Sequence, residues 1–202
     1  MRSLTVAIVI LAFATLSAGQ VFRIGGGVQR GAGAAPATPA MTLTTSAWAD
    51  GGQIPVKYTQ AVPNPVSPEL KWANAPQGTM SFVIHMHDPD AALNNTTNDQ
   101  VHWLVWNIPA SATGMPEGVP MGSQLADGSR QISASGATYR GPGAPATGPF
   151  HHYTIEVYAL DTKVDIEPAA NEQDTRVNVM KAMQGHVRGK AVYVGLFHRP
   201  PQ

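Results

Sequence analysis

The sequence predicts a mostly β domain with one helix late in the chain, and three observations support this fold class. Short alternating or β-branched runs recur from Met41 onward, separated by turn-forming Pro, Gly and Asn. An apolar pattern with helical spacing occurs once, after Asn171. The chain has no cysteine, so a packed core rather than disulfides must stabilise the fold.

The predicted strands follow in chain order. Val101–Ile108 is apolar on both faces, as in a central strand, and its His102 is predicted to share a face with Leu104 and Trp106. The run Tyr153–Leu160 has the same pattern, interrupted by Glu156. The predicted strand runs are Met41–Ala47, Ile54–Thr59, Ser81–Met86, Val101–Ile108, Tyr153–Leu160 and Ala191–Phe197.

The predicted helix begins after Asn171, which can cap its first turn. Glu172 and Asp174 place negative charge near the helix N-terminus, where the helix dipole favours it. The apolar face at helical spacing consists of Val179, Met180, Met183 and Val187.

The N-terminal residues 1–19 have the pattern of a signal peptide. Arg2 gives a positive start, Leu4–Leu16 is an apolar run of 13 residues, and small residues precede Gln20. An uncleaved membrane anchor is the alternative, although a span needs about 20 apolar residues. Residues 20–40 are predicted to be a flexible Gly/Ala/Pro linker, and residues 41–202 the folded domain. The expected location is therefore periplasmic or secreted.

The charge of the chain excludes one class of partner. Removal of Arg2 with the signal segment leaves 12 basic and 13 acidic residues, from 13 of each. A nucleic-acid-binding domain calls for a basic footprint, so no nucleic-acid partner is expected.

Titratable side chains gather in three segments. The first, His85–Asp90, follows an alternating run and places Asp88 and Asp90 on either side of Pro89. The others contain His102 and His151–Tyr153, and the three hold five of the seven histidines. Such groups at strand ends and loops predict a pocket.

Each segment also has a structural interpretation. The Asp88–Asp90 turn can cap its own backbone N–H groups, and His102 can be a hydrogen-bonded core residue. The Gly/Pro loop from Gly141 to Pro149 can present N–H groups to an anion or be an ordinary surface loop.

Metal binding and enzymatic catalysis are two further hypotheses. His85 and His87 share one strand face, and Asp88, Asp90 and His102 could complete a metal site, although the glutamate of a cupin site is missing. Nucleophilic catalysis lacks a cysteine or a Gly-x-Ser-x-Gly turn. Acid–base chemistry by Asp88 with His151 is chemically possible.

Four blocks in order resemble the phosphatidylethanolamine-binding protein family, in its bacterial Raf-kinase-inhibitor-like branch. The resemblance spans about residues 41–199. The blocks are Ser67–Trp72 with Ala75–Thr79, Asp88–Ala91, His102–Pro109, and Gly141-Pro142 with Gly148–Tyr153.

The resemblance implies a β-sandwich of two antiparallel sheets with a C-terminal helix and a small pocket at one end. That pocket is implied to accept phosphate-type anions or phospholipid headgroups. By motif position the implied binding residues are Asp88, Pro89, Asp90, His102, Gly141, Pro142, His151 and Tyr153. One departure is His152, which stands where the family usually has an arginine and weakens the expectation of a fixed positive charge.

The sequence thus favours an exported, non-catalytic binding protein for a small anion or phosphorylated headgroup, without a cofactor or bound metal. Membrane contact is expected through lipid headgroups at most. A regulator of a kinase or protease, acting through a protein partner, is the second hypothesis, and a metal-dependent or acid–base enzyme is the third. Because two carboxylates repel phosphate, protonated His102 and His151, the Tyr153 hydroxyl and loop N–H groups are expected to bind the anion.

Overall fold

The computed structural model describes residues 39–201. The predicted signal peptide, residues 1–19, and nearly all of the predicted linker lie outside the described residues, so both stay predictions. In the described part, no helix combines the length and apolarity that crossing a bilayer requires.

The regular structure of the described residues consists of two β-sheets, one α-helix and two short 3₁₀ turns. The helix α1 spans Glu172–Met183. The strands are β1 Thr42–Thr44, β2 Gly52–Gln53, β3 Leu70–Ala73, β4 Ser81–Asp88, β5 Gln100–Pro109, β6 Gly114–Met115, β7 Arg130–Ile132, β8 His151–Leu160 and β9 Val187–Phe197.

The larger sheet has the strand order β2-β9-β8-β4-β5-β7, and the smaller sheet has the order β1-β3-β6. Pairing is antiparallel apart from β2, which lies parallel to β9. The long strands β4, β5 and β8 lie side by side at the centre of the larger sheet. The predicted mostly β fold with two antiparallel sheets is confirmed.

Alternation along the central strands places a core on each face of the larger sheet. On one face, Phe82 and Trp103 pack in the same cluster as Trp72 of the smaller sheet, which gives the sandwich. On the other face, Val83 and Trp106 pack in a second cluster with residues of α1. We call the face that packs against the smaller sheet the pocket-side face, and the face that packs against α1 the helix-side face.

The predicted helix is confirmed, with one error at its end. The Asn171 side chain accepts a hydrogen bond from the Asp174 N–H, as an N-cap does. Val179 and Met183 are buried against the sheet. Val187 instead begins β9 and is 43% exposed, because Gly185 turns the chain at a φ of 83° before that position.

The run Ile54–Thr59, predicted as a strand, is wrong for most of its length. Ile54 bonds to the Leu196 carbonyl, but Val56–Tyr58 forms a single 3₁₀ turn. Pro55 starts that turn. Since proline has no N–H to donate to a ladder, it ends strand pairing there.

A β-bulge in β5 corrects the predicted direction of His102. Met86 pairs with Trp103 and His87 pairs with Val101, so His102 has no partner on β4. The extra residue breaks the alternation. Val101, not His102, joins Leu104 in the helix-side cluster. The His102 ring turns to the pocket-side face.

Candidate functional site

A cavity of about 300 Å³ opens on the pocket-side face, where β4 ends and β5 and β8 begin. Four predicted residues from three distant segments line it: Asp88, His102, His151 and Tyr153. The predicted convergence of these segments is therefore observed. The other lining residues are Gln60, Ala91, Gln100, Arg140, Gly143, Ala144, Pro145 and Arg199.

Asp88 is buried at the last position of β4 and uses both carboxylate oxygens. Its Oδ2 lies 2.8 Å from Nδ1 of His151, and its Oδ1 accepts the Asp90 N–H at 3.0 Å. The second contact is the local turn capping that the sequence allowed. The first contact orients the His151 ring at the wall of the cavity.

His102 is a buried, neutral imidazole. Its Nδ1 lies 2.9 Å from the Arg140 carbonyl and 3.1 Å from the Gly141 carbonyl, and since carbonyls only accept, Nδ1 carries the proton. Burial lowers the pKa of His102 to about 4, despite the nearby acceptors. The expectation that a protonated His102 helps to bind an anion stays a prediction, and this pKa places its protonation well below the ordinary range of histidine.

The Tyr153 hydroxyl organises the glycine-rich loop. Its oxygen accepts the N–H groups of Gly143 at 3.1 Å and Ala144 at 3.0 Å, so its own proton is left for an acceptor such as Asp88. Burial and the charge of Asp88 raise the pKa of Tyr153 far above its ordinary value. These two loop N–H groups, expected to face an anion, are instead used to position the loop.

Gly141 and Pro142 lie behind the cavity wall. The Gly141 carbonyl accepts from Gln60 Nε2 at 2.6 Å, and the Pro142 carbonyl accepts from the Gln60 N–H at 2.8 Å. A Cβ on Gly141 would sit 2.5 Å from the Tyr58 carbonyl oxygen. Only glycine fits there, because no other residue permits so close an approach.

Pro89 and Asp90 also lie outside the cavity lining. Asp90 Oδ2 accepts the His152 N–H at 2.6 Å and is 2.9 Å from His152 Nδ1. Burial alone would raise the pKa of Asp90. The hydrogen bonds with His152 outweigh burial and lower that pKa below the ordinary value of aspartate. Within the described cavity wall, Asp88 is thus the single carboxylate.

Arg140 and Arg199 line the cavity although neither belongs to the predicted set. Arg140 directly precedes the Gly141-Pro142 block, which is a local signal. Its Nε is buried and has no hydrogen-bond partner among the described residues. Arg199 carries no such signal; its N–H bonds to the Ala144 carbonyl and closes the C-terminal segment onto the loop. These arginines supply the fixed positive charge that the His152 departure had put in doubt.

The metal-ligand set proposed from the sequence is divided between two faces of the sheet. His85 and His87 lie on the helix-side face with Glu156, whereas Asp88, Asp90 and His151 group on the pocket side. The combination of paired histidines with those aspartates and His102 is therefore wrong. Successive β4 residues point to opposite faces, so His87 and Asp88 cannot share a site.

Comparison with known proteins identifies close relatives. The family model described as phosphatidylethanolamine-binding protein matches residues 44–198. A protein of Methanothermobacter thermautotrophicus is 42% identical over 161 residues, which are 79% of this chain and 99% of the relative.

Two solved structures share the fold. The phosphatidylethanolamine-binding protein homologue CT736 of Chlamydia trachomatis has a TM-score of 0.65 at 26% identity, over 79% of this chain and 98% of that one. YbcL of Escherichia coli has a TM-score of 0.63 at 24% identity, over 81% of this chain and all of that one.

Proposed function

Since the chain belongs to the phosphatidylethanolamine-binding protein family, we propose that its cavity binds a phosphate-type anion or a phosphorylated headgroup without catalysing a reaction. The observation that carries this proposal is the charge of the cavity wall. The residues that line the cavity include two arginines, Arg140 and Arg199, and one acidic residue, Asp88. Guanidinium is permanently charged and suited to phosphate oxygens, so the local field favours an anion.

Neutral donors on the wall add to this preference. The Tyr153 oxygen is held by two backbone N–H groups, and its proton can be donated to Asp88 or to a bound anion. Asp88 Oδ2 is occupied by His151, which reduces the repulsion of a bound anion. The volume of about 300 Å³ accommodates a phosphate with a small substituent.

The composition of the wall supports binding rather than nucleophilic catalysis. His151 and Asp88 have the relation of a base to the carboxylate that orients it. Such a pair needs a nucleophile, and no serine, threonine or cysteine is among the described residues that line the cavity.

Calorimetric titration with inorganic phosphate tests the proposal. Each charge-assisted hydrogen bond contributes about 1.5–3 kcal/mol, so Arg140→Ala and Arg199→Ala should each weaken binding about 10- to 100-fold. Lys181→Ala, which removes a charge from the distant α1, should bind phosphate as the wild type does. Absence of binding to the wild type, or equal affinities in all three variants, would contradict the proposal.

Phosphoethanolamine distinguishes a headgroup from free phosphate. A headgroup places an ammonium near the phosphate, and Asp88 is the carboxylate available to meet it. If the headgroup is the ligand, phosphoethanolamine should bind more tightly than phosphate, and Asp88→Asn should remove that advantage. Equal affinity of the wild type for both compounds would favour the free anion.

We also propose that the protein is exported, on the pattern of residues 1–19. Intact-mass measurement of the chain recovered from an extracytoplasmic fraction should give a species starting at Gln20. A full-length chain in the cytoplasmic fraction would contradict export.

A further inference from the structure

We propose that His85, His87 and Glu156, on the helix-side face of the larger sheet, bind a divalent transition-metal ion of the Zn²⁺ class. This site is separate from the anion cavity. It uses the paired histidines of β4, which the proposed function does not involve.

The three ligand atoms already lie close to the spacing that such an ion needs. His85 pairs directly with Glu156 across β4 and β8, and its Nδ1 lies 3.4 Å from Glu156 Oε2. His87 Nε2 lies 3.9 Å from the same oxygen. A tetrahedral ion with ligands at about 2.0–2.1 Å requires them to be about 3.3–3.4 Å apart. Small rotations of the side chains would therefore complete the triangle.

A second carboxylate holds His87 in the coordinating form. Asp99 Oδ2 lies 2.5 Å from Nδ1 of His87, so Nδ1 donates to Asp99, and Nε2 on the Glu156 side is the nitrogen left for a metal. Asp99 is itself bound by Arg176 of α1. A carboxylate behind a coordinating imidazole is the usual arrangement in metal sites.

His85 supplies an independent indication of a ligand. Its side chain is 6% exposed, its Nδ1 makes only a long 3.4 Å contact with Glu156, and its Nε2 has no partner among the described residues. The His85 ring is buried beside His87 and Glu156, and a neutral imidazole is the form that binds a metal. Coordination would break no strong hydrogen bond of this ring. The two imidazoles stack 4.4 Å apart, so both can approach one ion.

The charges around the triad select the type of ion. Lys190 contacts Glu156 Oε1, and Tyr158 donates to Oε2 at 2.7 Å. The carboxylates of Glu156 and Asp99 are balanced by Lys190 and Arg176, so general attraction for cations is weak. Two nitrogen ligands then favour Zn²⁺, Co²⁺, Ni²⁺ or Cu²⁺ over Mg²⁺ or Ca²⁺. The His87 and Glu156 side chains are 16% and 15% exposed, so solvent can reach an open coordination position.

Cobalt titration of chelator-treated protein, prepared without a polyhistidine tag, tests the site by visible absorption and calorimetry. The wild type should bind one Co²⁺, and Zn²⁺ but not Mg²⁺ should displace it. His87→Ala and Glu156→Gln should weaken binding at least about tenfold, and Asp99→Asn about 10- to 100-fold.

The matched control is His186→Ala, which removes an exposed histidine 2.8 Å from the Asp161 carboxylate. It should bind Co²⁺ as the wild type does. Circular dichroism checks that each variant folds, and the partly exposed His87 and Glu156 positions provide two separate variants. Absence of stoichiometric Co²⁺ binding to the wild type, or unchanged affinity in folded His87→Ala or Glu156→Gln, would overturn the proposal.

Discussion

The two faces of the β4–β8 pair carry similar residues in opposite surroundings. On the pocket side, Asp88 contacts His151 at 2.8 Å beside two arginines and an open cavity. On the helix side, His85 and His87 meet Glu156 within a nearly closed cluster. A histidine–carboxylate contact therefore does not determine what a site binds. In the two proposals, the neighbouring charges and the room around the contact decide between an anion and a cation.

Among the effects expected for the two faces, the largest is a loss of folding stability at acidic pH. His102 on the pocket side has a pKa of about 4 in the folded protein, whereas unfolded histidine titrates near 6.5. Between these values the unfolded state binds more protons, so the free energy of unfolding falls as pH is lowered through this window. The contribution lost is about 3 kcal/mol.

Urea unfolding at pH 7 and pH 4 measures this effect. His102→Asn, which keeps a donor for the Arg140 carbonyl, should lose about 3 kcal/mol less over that range than the wild type does. His85→Asn on the helix side should flatten the curve in the same direction. Because the sites lie on opposite faces, the two effects should add in the double variant. An unchanged pH slope in His102→Asn would contradict burial of a neutral ring.

A smaller effect is expected from a substitution that displaces the backbone on the pocket side alone. Gly141→Ala forces a Cβ to within 2.5 Å of the Tyr58 carbonyl oxygen, so the wall behind the cavity must shift. The expected cost is about 1–3 kcal/mol of stability. Phosphate affinity should fall, while Co²⁺ affinity should stay at the wild-type value, as calorimetry of both ligands would report. Loss of both affinities together would indicate that the faces are not independent.

The smallest expected effect comes from two tyrosines of β8 that point to opposite faces. Tyr153→Phe leaves the Gly143 and Ala144 N–H groups without their acceptor and should cost about 1–2 kcal/mol. It should also weaken phosphate binding. Tyr158→Phe removes the donor to Glu156 and should leave phosphate binding intact. Equal phosphate affinities in the two variants would argue against a role for the Tyr153 hydroxyl.

The sequence predicted features that depend on local pattern. Alternation located the central strands, and Asn171 located the start of α1. The family motifs predicted that Asp88, His102, His151 and Tyr153 line one cavity, and they do.

Features that depend on register or on loop closure were not predictable in this way. The bulge that turns His102 to the pocket side leaves no mark on the apolar pattern. Glu156 interrupted a strand in the sequence, but its place opposite His85 follows from the pairing register of β8. Arg199 reaches the cavity only because its N–H bonds to the Ala144 carbonyl.

The central claim is that the larger sheet binds an anion on its pocket-side face and a metal cation on its helix-side face. NMR of the ¹⁵N-labelled histidine rings, during separate titrations with phosphate and Zn²⁺, tests this claim most directly. We predict that phosphate shifts the His151 signals and leaves those of His85 and His87 in place. Zn²⁺ should shift His85 and His87 and leave His151 unchanged. Zn²⁺ acting on His151, which groups with Asp88 and Asp90, or phosphate acting on His85 and His87 would contradict the claim.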